Sequence, residues 1–314
     1  MARMNYGQAA CSALDRAMTA DARVVALGED VGRGGIFGQY RGLQQKFGAA
    51  RVIDTPISES TIMGAAVGMA LTGLKPVVEM RVVDFALCAM DEIVNQAAKA
   101  RFMFGGQGRV PMVARLPIGI WTGSAAQHSQ SLEAWFAHVP GLVVVTPGSA
   151  QDNHSLLAAA IDSGDPVIYM EHKELWGLEG EVVEGEKVRL GKAKIIQPGT
   201  DVTLVTWSRT VRTALEAVEK AKNISVELID LRTIWPWDRD TVLASAAKTK
   251  RLVVAHEAVR VAGFGAEIAA TVAEELGIPV RRVGGARIPV GYSLPLENES
   301  RIDSASILKA LANF

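Results

Sequence analysis

At 314 residues, 49% of them hydrophobic, the chain is long enough for about two domains with substantial cores. A net charge of −1 gives no footing for nucleic acid or an anionic membrane surface as a partner. The longest apolar stretch, 62–74, is too short and glycine-rich to span a bilayer, and residues 1–10 carry no secretory signal. A cytoplasmic protein is therefore expected, with Cys11 and Cys88 as free, buried thiols in a reducing compartment.

Residues 6–20 read as an amphipathic helix, and Val24-Val-Ala-Leu27 as a strand covered on both faces. The strand runs into a glycine-rich loop, 28–35. Its spacing fits neither the dinucleotide fingerprint nor the P-loop, and Glu29 and Asp30 within it would repel a phosphate. A short helix over 41–47 precedes the strand Val52-Ile53 and the stretch Asp54-Thr-Pro-Ile-Ser-Glu-Ser60. Pro56 breaks that strand, and Ser58 and Ser60 suit the cap of the next helix. The helix, 61–71, is built of small and apolar residues. Gly64 and Gly68 share one of its faces, where another backbone could approach closely. Glu59 stands at its mouth, the only acid between Asp54 and Glu79.

A strand over 76–80 follows, then one long helix over 84–104 that includes Phe85, and a strand over 110–116. The irregular segment 117–131 carries Trp121 and His128. A helical turn over 132–136, a strand over 142–145, a helix over 150–161 and a strand over 166–169 complete an alternation typical of a parallel sheet. From 171 to 198 the pattern dissolves, and the domain boundary is placed between 185 and 186. Strands over 202–207, 226–229, 252–255 and 280–283 then alternate with helices over 211–222, 238–247, 265–276 and 304–311. The expected fold is α/β, with two doubly wound parallel-sheet domains, 1–185 and 186–314.

No metal-ligand spacing, cysteine pair or nucleophile elbow occurs. Open α/β sheets place their sites at the carboxyl ends of strands, which selects Glu59, the stretch from Arg81 to Phe85, and the His128 loop. Taken singly, each has an ordinary reading. Glu59 is a solvated acid favoured by the helix dipole, Phe85 is core, and His128 is a surface histidine. Together they suggest a cleft without naming a reaction.

Several stretches resemble one family. They are Asp54-Thr-Pro-Ile-Ser-Glu-Ser60, the run from Gly64 to Glu79, Asp91-Glu-Ile-Val-Asn-Gln-Ala-Ala-Lys99, Ala125-Ala-Gln-His-Ser-Gln130, His138-Val-Pro-Gly-Leu142 and Asp165-Pro-Val-Ile168. The family is the beta subunits of thiamine-diphosphate-dependent 2-oxo acid dehydrogenases. Arg101-Phe-Met-Phe-Gly-Gly106 and the run from Glu171 to Glu181 look most like its acetoin dehydrogenase branch, with pyruvate dehydrogenase close behind. The resemblance implies a transketolase-like pyrimidine-binding domain followed by a transketolase C-terminal-like domain. It implies that Glu59 bonds a ring nitrogen of the cofactor's aminopyrimidine and so promotes loss of the thiazolium proton. Phe85 stacks on the pyrimidine, Ile57 lines it, and His128 faces the substrate and helps pass the acyl group to lipoamide.

The family holds the diphosphate through magnesium on a Gly-Asp-Gly…Asn motif of the alpha subunit, and no Gly-Asp-Gly occurs here. The resemblance therefore implies half a site, an α2β2 assembly packed partly through Gly64 and Gly68, and a lipoyl acyltransferase as further partner. It also implies a monovalent cation, K+, near Met112, Ala160, Ile161, Ser163 and Asp165, with Ser163 in place of a frequent Asp. Arg81 lies on the substrate side where relatives carry Gln or Met, so a cation there could favour an anionic substrate. Two other readings stay open: the beta half of a split transketolase-like ketol transferase acting on a sugar phosphate, and a non-catalytic scaffold subunit.

Overall fold

Runs rich in Val, Ile and Ala at the expected positions form short strands buried on both faces, as parallel sheets require. In a computed structural model that describes residues 1–314, the chain divides into two units. The first comprises 1–118 and 135–190, the second 119–134 and 191–314. The main change of unit falls at Leu190, just after the expected boundary, and the allocation of 119–134 to the second unit had no sequence signal.

The first unit carries strands β1 (Ala2–Asn5), β2 (Val24–Gly28), β3 (Val52–Asp54), β4 (Lys75–Glu79), β5 (Val113–Arg115), β6 (Val143–Val145), β7 (Val167–Tyr169) and β8 (Glu179–Val182). Its sheet runs β6-β7-β5-β4-β2-β3, with every pair parallel. Helices are α1 (Tyr6–Ala20), α2 (Leu43–Phe47), α3 (Glu59–Leu71), α4 (Ala98–Met103), the short α5 (Glu133–Ala137) and α6 (Ala150–Ile161). Leu14 and Met18 of α1 and Leu156, Leu157 and Ile161 of α6 bury one sheet face around Val24, Val77 and Val167. Buried Ile62, Met63, Ala66, Val67 and Ala70 face α3 inward on the other. β1 pairs antiparallel with β8, giving order to part of the stretch that reads as patternless.

Two local expectations are corrected, on the segment 84–104 and on the cysteines, and the glycine face of α3 is open. The segment 84–104 is not one α-helix. It begins as a 3-10 helix (Val83–Ala89), widens to π turns (Glu92–Ala97) and ends as α4, because apolar spacing alone does not fix the winding. Cys88 is exposed and Cys11 only half-buried. Gly68 has nothing within 4 Å of where a Cβ would point, and Gly64 meets only the Glu92 side chain, so the glycine face of α3 is turned outward.

The second unit carries β9 (Lys194–Gln197), β10 (Val202–Thr206), β11 (Val226–Asp230), β12 (Thr233–Trp235), β13 (Leu252–Val259) and β14 (Val280–Gly285). Its sheet is β14-β13-β10-β11-β9, parallel except for the antiparallel edge strand β9, where a wholly parallel sheet is expected. Helices α7 (Thr210–Lys220) and α11 (Ser304–Ala312) bury one sheet face around Leu204, Leu228 and Val253. The others are α8 (Arg239–Thr249), α9 (Gly265–Leu276) and α10 (Leu294–Asn298).

Candidate functional site

The strand order of the first sheet reverses between β2 and β4. From β2 the chain moves outward to β3, then crosses back over β2 through α3 to β4. The carboxyl ends of β2 and β4 border the crevice where such folds bind ligands. Three segments leave these neighbouring ends: Glu29-Asp30 after β2, the turn from Thr55 to Ser58 after β3, and Met80 to Phe85 after β4.

The turn after β3 is fixed by its backbone. The Thr55 N–H donates to the Gly28 carbonyl at 3.1 Å, and the Gly32 N–H donates to Asp54 Oδ1 at 2.7 Å. Pro56 ends the strand and Ser58 occupies the N-cap. Its hydroxyl donates to Thr61 Oγ1 at 2.9 Å and makes no cap bond, while Ser60 lies inside the helix. Glu59 is the first residue of α3, where the helix dipole favours an anion. It is half-buried, and its carboxylate makes no hydrogen bond or ion pair within the chain. Ile57, two residues before Glu59, is an apolar side chain 77% exposed.

Arg81 is half-buried, and its Nη1 donates to Asp30 Oδ2 at 2.9 Å. That pairing engages the cation which sequence leaves open to an anionic substrate. Phe85 is half-buried on the 3-10 segment, its N–H donating to the Val82 carbonyl at 3.2 Å. Glu29, which the sequence suggests only as an acid that would repel a phosphate, is a further acid at this sheet edge. Burial pushes its carboxyl pKa up, the charge of Arg81 opposes the rise, and Glu59 and Asp30 add to it. Its signal was positional, since it directly follows Gly28 at a strand end beside that reversal.

His128 belongs to the second unit. It closes a one-turn 3-10 helix (Ala126–His128) and is exposed. Carboxylates anchor its segment: the Ile120 N–H donates to Glu257 Oε1 at 2.8 Å, and the Gly123 N–H donates to Glu297 Oε2 at 2.8 Å. The structure thus gathers Ile57, Glu59, Arg81 and Phe85 on one unit and carries His128 on the other.

Met112 and the Ala160-Ile161 end of α6 are buried. The Met112 carbonyl accepts the Val167 N–H at 2.9 Å, the Ala160 carbonyl accepts the Ser163 N–H at 3.1 Å, and the Asp165 carboxylate is paired with Arg101. No group of three His, Cys, Asp or Glu side chains is arranged to hold a metal ion.

The family "Transketolase, pyrimidine binding domain" matches residues 2–177, and "Transketolase, C-terminal domain" matches 191–307. The chain is 44% identical to the pyruvate dehydrogenase E1 component subunit beta-1, mitochondrial, of Oryza sativa, over 98% of this chain and 85% of that one. It is 42% identical to the acetoin:2,6-dichlorophenolindophenol oxidoreductase subunit beta of Cupriavidus necator, over 96% and 94%. It is also 42% identical to the 2-oxoisovalerate dehydrogenase subunit beta, mitochondrial, of Dictyostelium discoideum, over 91% and 80%. A solved split gene transketolase, described as an inactive beta4 tetramer, superposes with a TM-score of 0.80 at 21% identity, over 98% of this chain and 97% of that one, a likeness of fold.

Proposed function

We propose, from the fact that this chain belongs to the family of beta subunits of thiamine-diphosphate-dependent 2-oxo acid and acetoin dehydrogenases, that the Glu59 turn binds the aminopyrimidine end of the cofactor. The observation that carries this reading is the Glu59 carboxylate itself, half-buried at a helix N-terminus and without a partner in the chain. Such a group is set to bind a ring N–H and to hold or release a proton there. Ile57 supplies an apolar wall and Phe85 a stacking face. These residues fit the ring: an acceptor at one edge, apolar surface beside it. When bound, the cofactor supplies the carbanion chemistry, and the chain's part is to orient it and to manage the proton at Glu59. His128, on its exposed turn, faces the substrate and moves protons as the acyl group passes to a lipoyl domain.

The chain has no Gly-Asp-Gly, so the diphosphate and its magnesium fall to an alpha chain in an α2β2 assembly, with the outward glycine face of α3 as one contact. The carbonyls of Met112, Ala160 and Ile161, with Asp165, take a potassium ion once Arg101 yields. The setting is the cytoplasm. The two units act as pyrimidine-binding and C-terminal domains. Arg81 sits on the substrate side with its charge held by Asp30, which favours a small neutral substrate such as acetoin, or a simple 2-oxo acid whose carboxylate is lost.

The test combines this chain with its alpha chain and assays acetoin, pyruvate and a ketose phosphate as donors. Glu59→Gln is expected to lower turnover by about 10²- to 10⁴-fold without preventing assembly. Full activity in that variant would sink the reading, and so would turnover of the ketose phosphate alone.

A further inference from the structure

Behind the site lies a buried polar network that the proposed chemistry does not use. Arg115, at the end of β5, is fully buried and bonds Glu171 through two arms, Nε to Oε2 and Nη2 to Oε1, both at 2.8 Å. Its third arm, Nη1, makes no hydrogen bond and lies 3.9 Å from Glu79 Oε2. The guanidinium also lies over the Tyr40 ring, 4.9 Å from its centroid. Glu79, the last residue of β4, is 4% exposed. Its two oxygens accept from the glycine-rich loop that follows β2: Gln39 Nε2 donates at 3.0 Å and the Tyr40 hydroxyl at 2.9 Å. Gly28 makes room for this arrangement, since a Cβ there would sit 2.6 Å from the Glu79 carbonyl oxygen.

The same loop grips the Glu59 turn from its other end, through Gly32 to Asp54 and through the Gly28 carbonyl to Thr55. It also carries Asp30, the partner of Arg81. A continuous path of hydrogen bonds and chain therefore runs from Glu79 through Gln39 and Tyr40 to the turn that presents Glu59. We propose that Glu79 is a positioning residue, which holds the loop 28–40 and through it the Glu59 turn.

The groups facing Glu79 are Arg115 from β5, Glu171 from the segment after β7, and Tyr40 and Gln39 from the loop. Burial raises the carboxyl pKa to about 7 and Glu171 adds to the rise, against the Arg115 charge and the hydrogen bonds from Tyr40 and Gln39, which favour the carboxylate; the cost that grows with pH is that of keeping the charge out of water. An opening of the loop that admits water to the carboxylate is therefore favoured progressively as pH rises from about 4.5 to about 7.

The inference rests on the proposed role of Glu59 only for its functional meaning, so its test is structural. Backbone hydrogen exchange of the full chain, corrected for intrinsic rates, is followed from pH 5 to 8. The amides of Gly34, Gly35 and Tyr40, each bonded within the loop, are expected to open more by up to about two orders of magnitude across that range. The amides of β2 should stay protected. Glu79→Gln should flatten the pH dependence. Tyr40→Phe, which keeps the ring, should raise loop exchange by about 5- to 10-fold at every pH, and it decides the matter if Glu79→Gln does not fold. Loop and β2 amides opening together would overturn the proposal, as would wild type and Glu79→Gln sharing one pH course. An active Glu59→Gln complex alongside a pH-gated loop would instead refute the cofactor reading and leave this linkage standing.

Discussion

Both units bury titratable side chains on their central strands, and two of these, Glu79 in the first and His256 in the second, respond to pH in opposite directions. In the first, Glu79 lies against Arg115, whose charge is largely committed to Glu171. The acid is left with neutral donors, and burial raises its pKa to about 7. In the second, His256 on β13 stacks on Trp207 with ring centroids 5.0 Å apart. Its Nδ1 bonds the Ala258 carbonyl at 3.0 Å, its Nε2 has no partner, and burial lowers its pKa to about 4. Desolvation favours the neutral form in both, which means retaining a proton for the acid and refusing one for the base. A polar network surrounds the acid, whereas the histidine is enclosed by an indole and by glycines. The first arrangement transmits to a loop; the second only packs.

The largest expected effect breaks the first arrangement at its centre. Arg115→Met leaves Glu171 and Glu79 buried without their cation. It should cost the first unit about 3–5 kcal/mol, read as loss of exchange protection in β4 and β5 with β10 and β13 spared. A loss below 1 kcal/mol would mean that water already reaches the network.

Next in size is the pH contrast, a few kcal/mol for each group. The contribution of Glu79 is fully present below about 4.5 and is lost as pH rises through about 7, because the unfolded chain releases that proton first. That of His256 is fully present above about 6.5 and is lost as pH falls towards 4, because the unfolded chain takes up a proton that the folded one refuses. Urea titrations at pH 4.5 and 7.5 should show His256→Phe narrowing the acid-side loss and Glu79→Gln the neutral-side loss. The reverse assignment would refute the comparison.

These two groups show what the sequence could and could not disclose. The place of Glu59 at a strand-to-helix turn was legible because a strand, a proline, a polar turn and a small-residue helix follow one another over 52–64. Arg81 was legible as a charge near a strand end, but its partner Asp30 comes from a different strand end, and such pairings leave no local trace. Glu79, Arg115 and Glu171 end or follow apolar runs and look like ordinary edges of strands. Only the sheet order β7-β5-β4 brings them together. The strand expected over 252–255 stops one residue short of His256, because histidine carries no apolar signal; the observed β13 continues to Val259. The His128 segment joins the second unit through backbone N–H groups that donate to Glu257 and Glu297, donors that every residue type except proline possesses.

The smallest effects come from one substitution made at two glycines. At Gly265, the first residue of α9, a Cβ would stand 2.7 Å from His256 Nε2, a ring held by Trp207 and by its own bond to Ala258. The ring cannot yield cheaply, so Gly265→Ala should destabilise the second unit by about 1–3 kcal/mol. At Gly68, within α3, there is open space, and alanine removes backbone freedom from the unfolded chain while adding helix propensity. Gly68→Ala should therefore stabilise the isolated chain by up to about 1 kcal/mol in a denaturant titration. If the outward face of α3 receives the alpha chain, the same methyl group should weaken assembly, seen as dissociation of the mixed complex at lower dilution. A variant that is more stable alone and assembles unimpaired would move the interface off the Gly64–Gly68 face, while leaving the Glu59 carboxylate at the end of that helix unaffected.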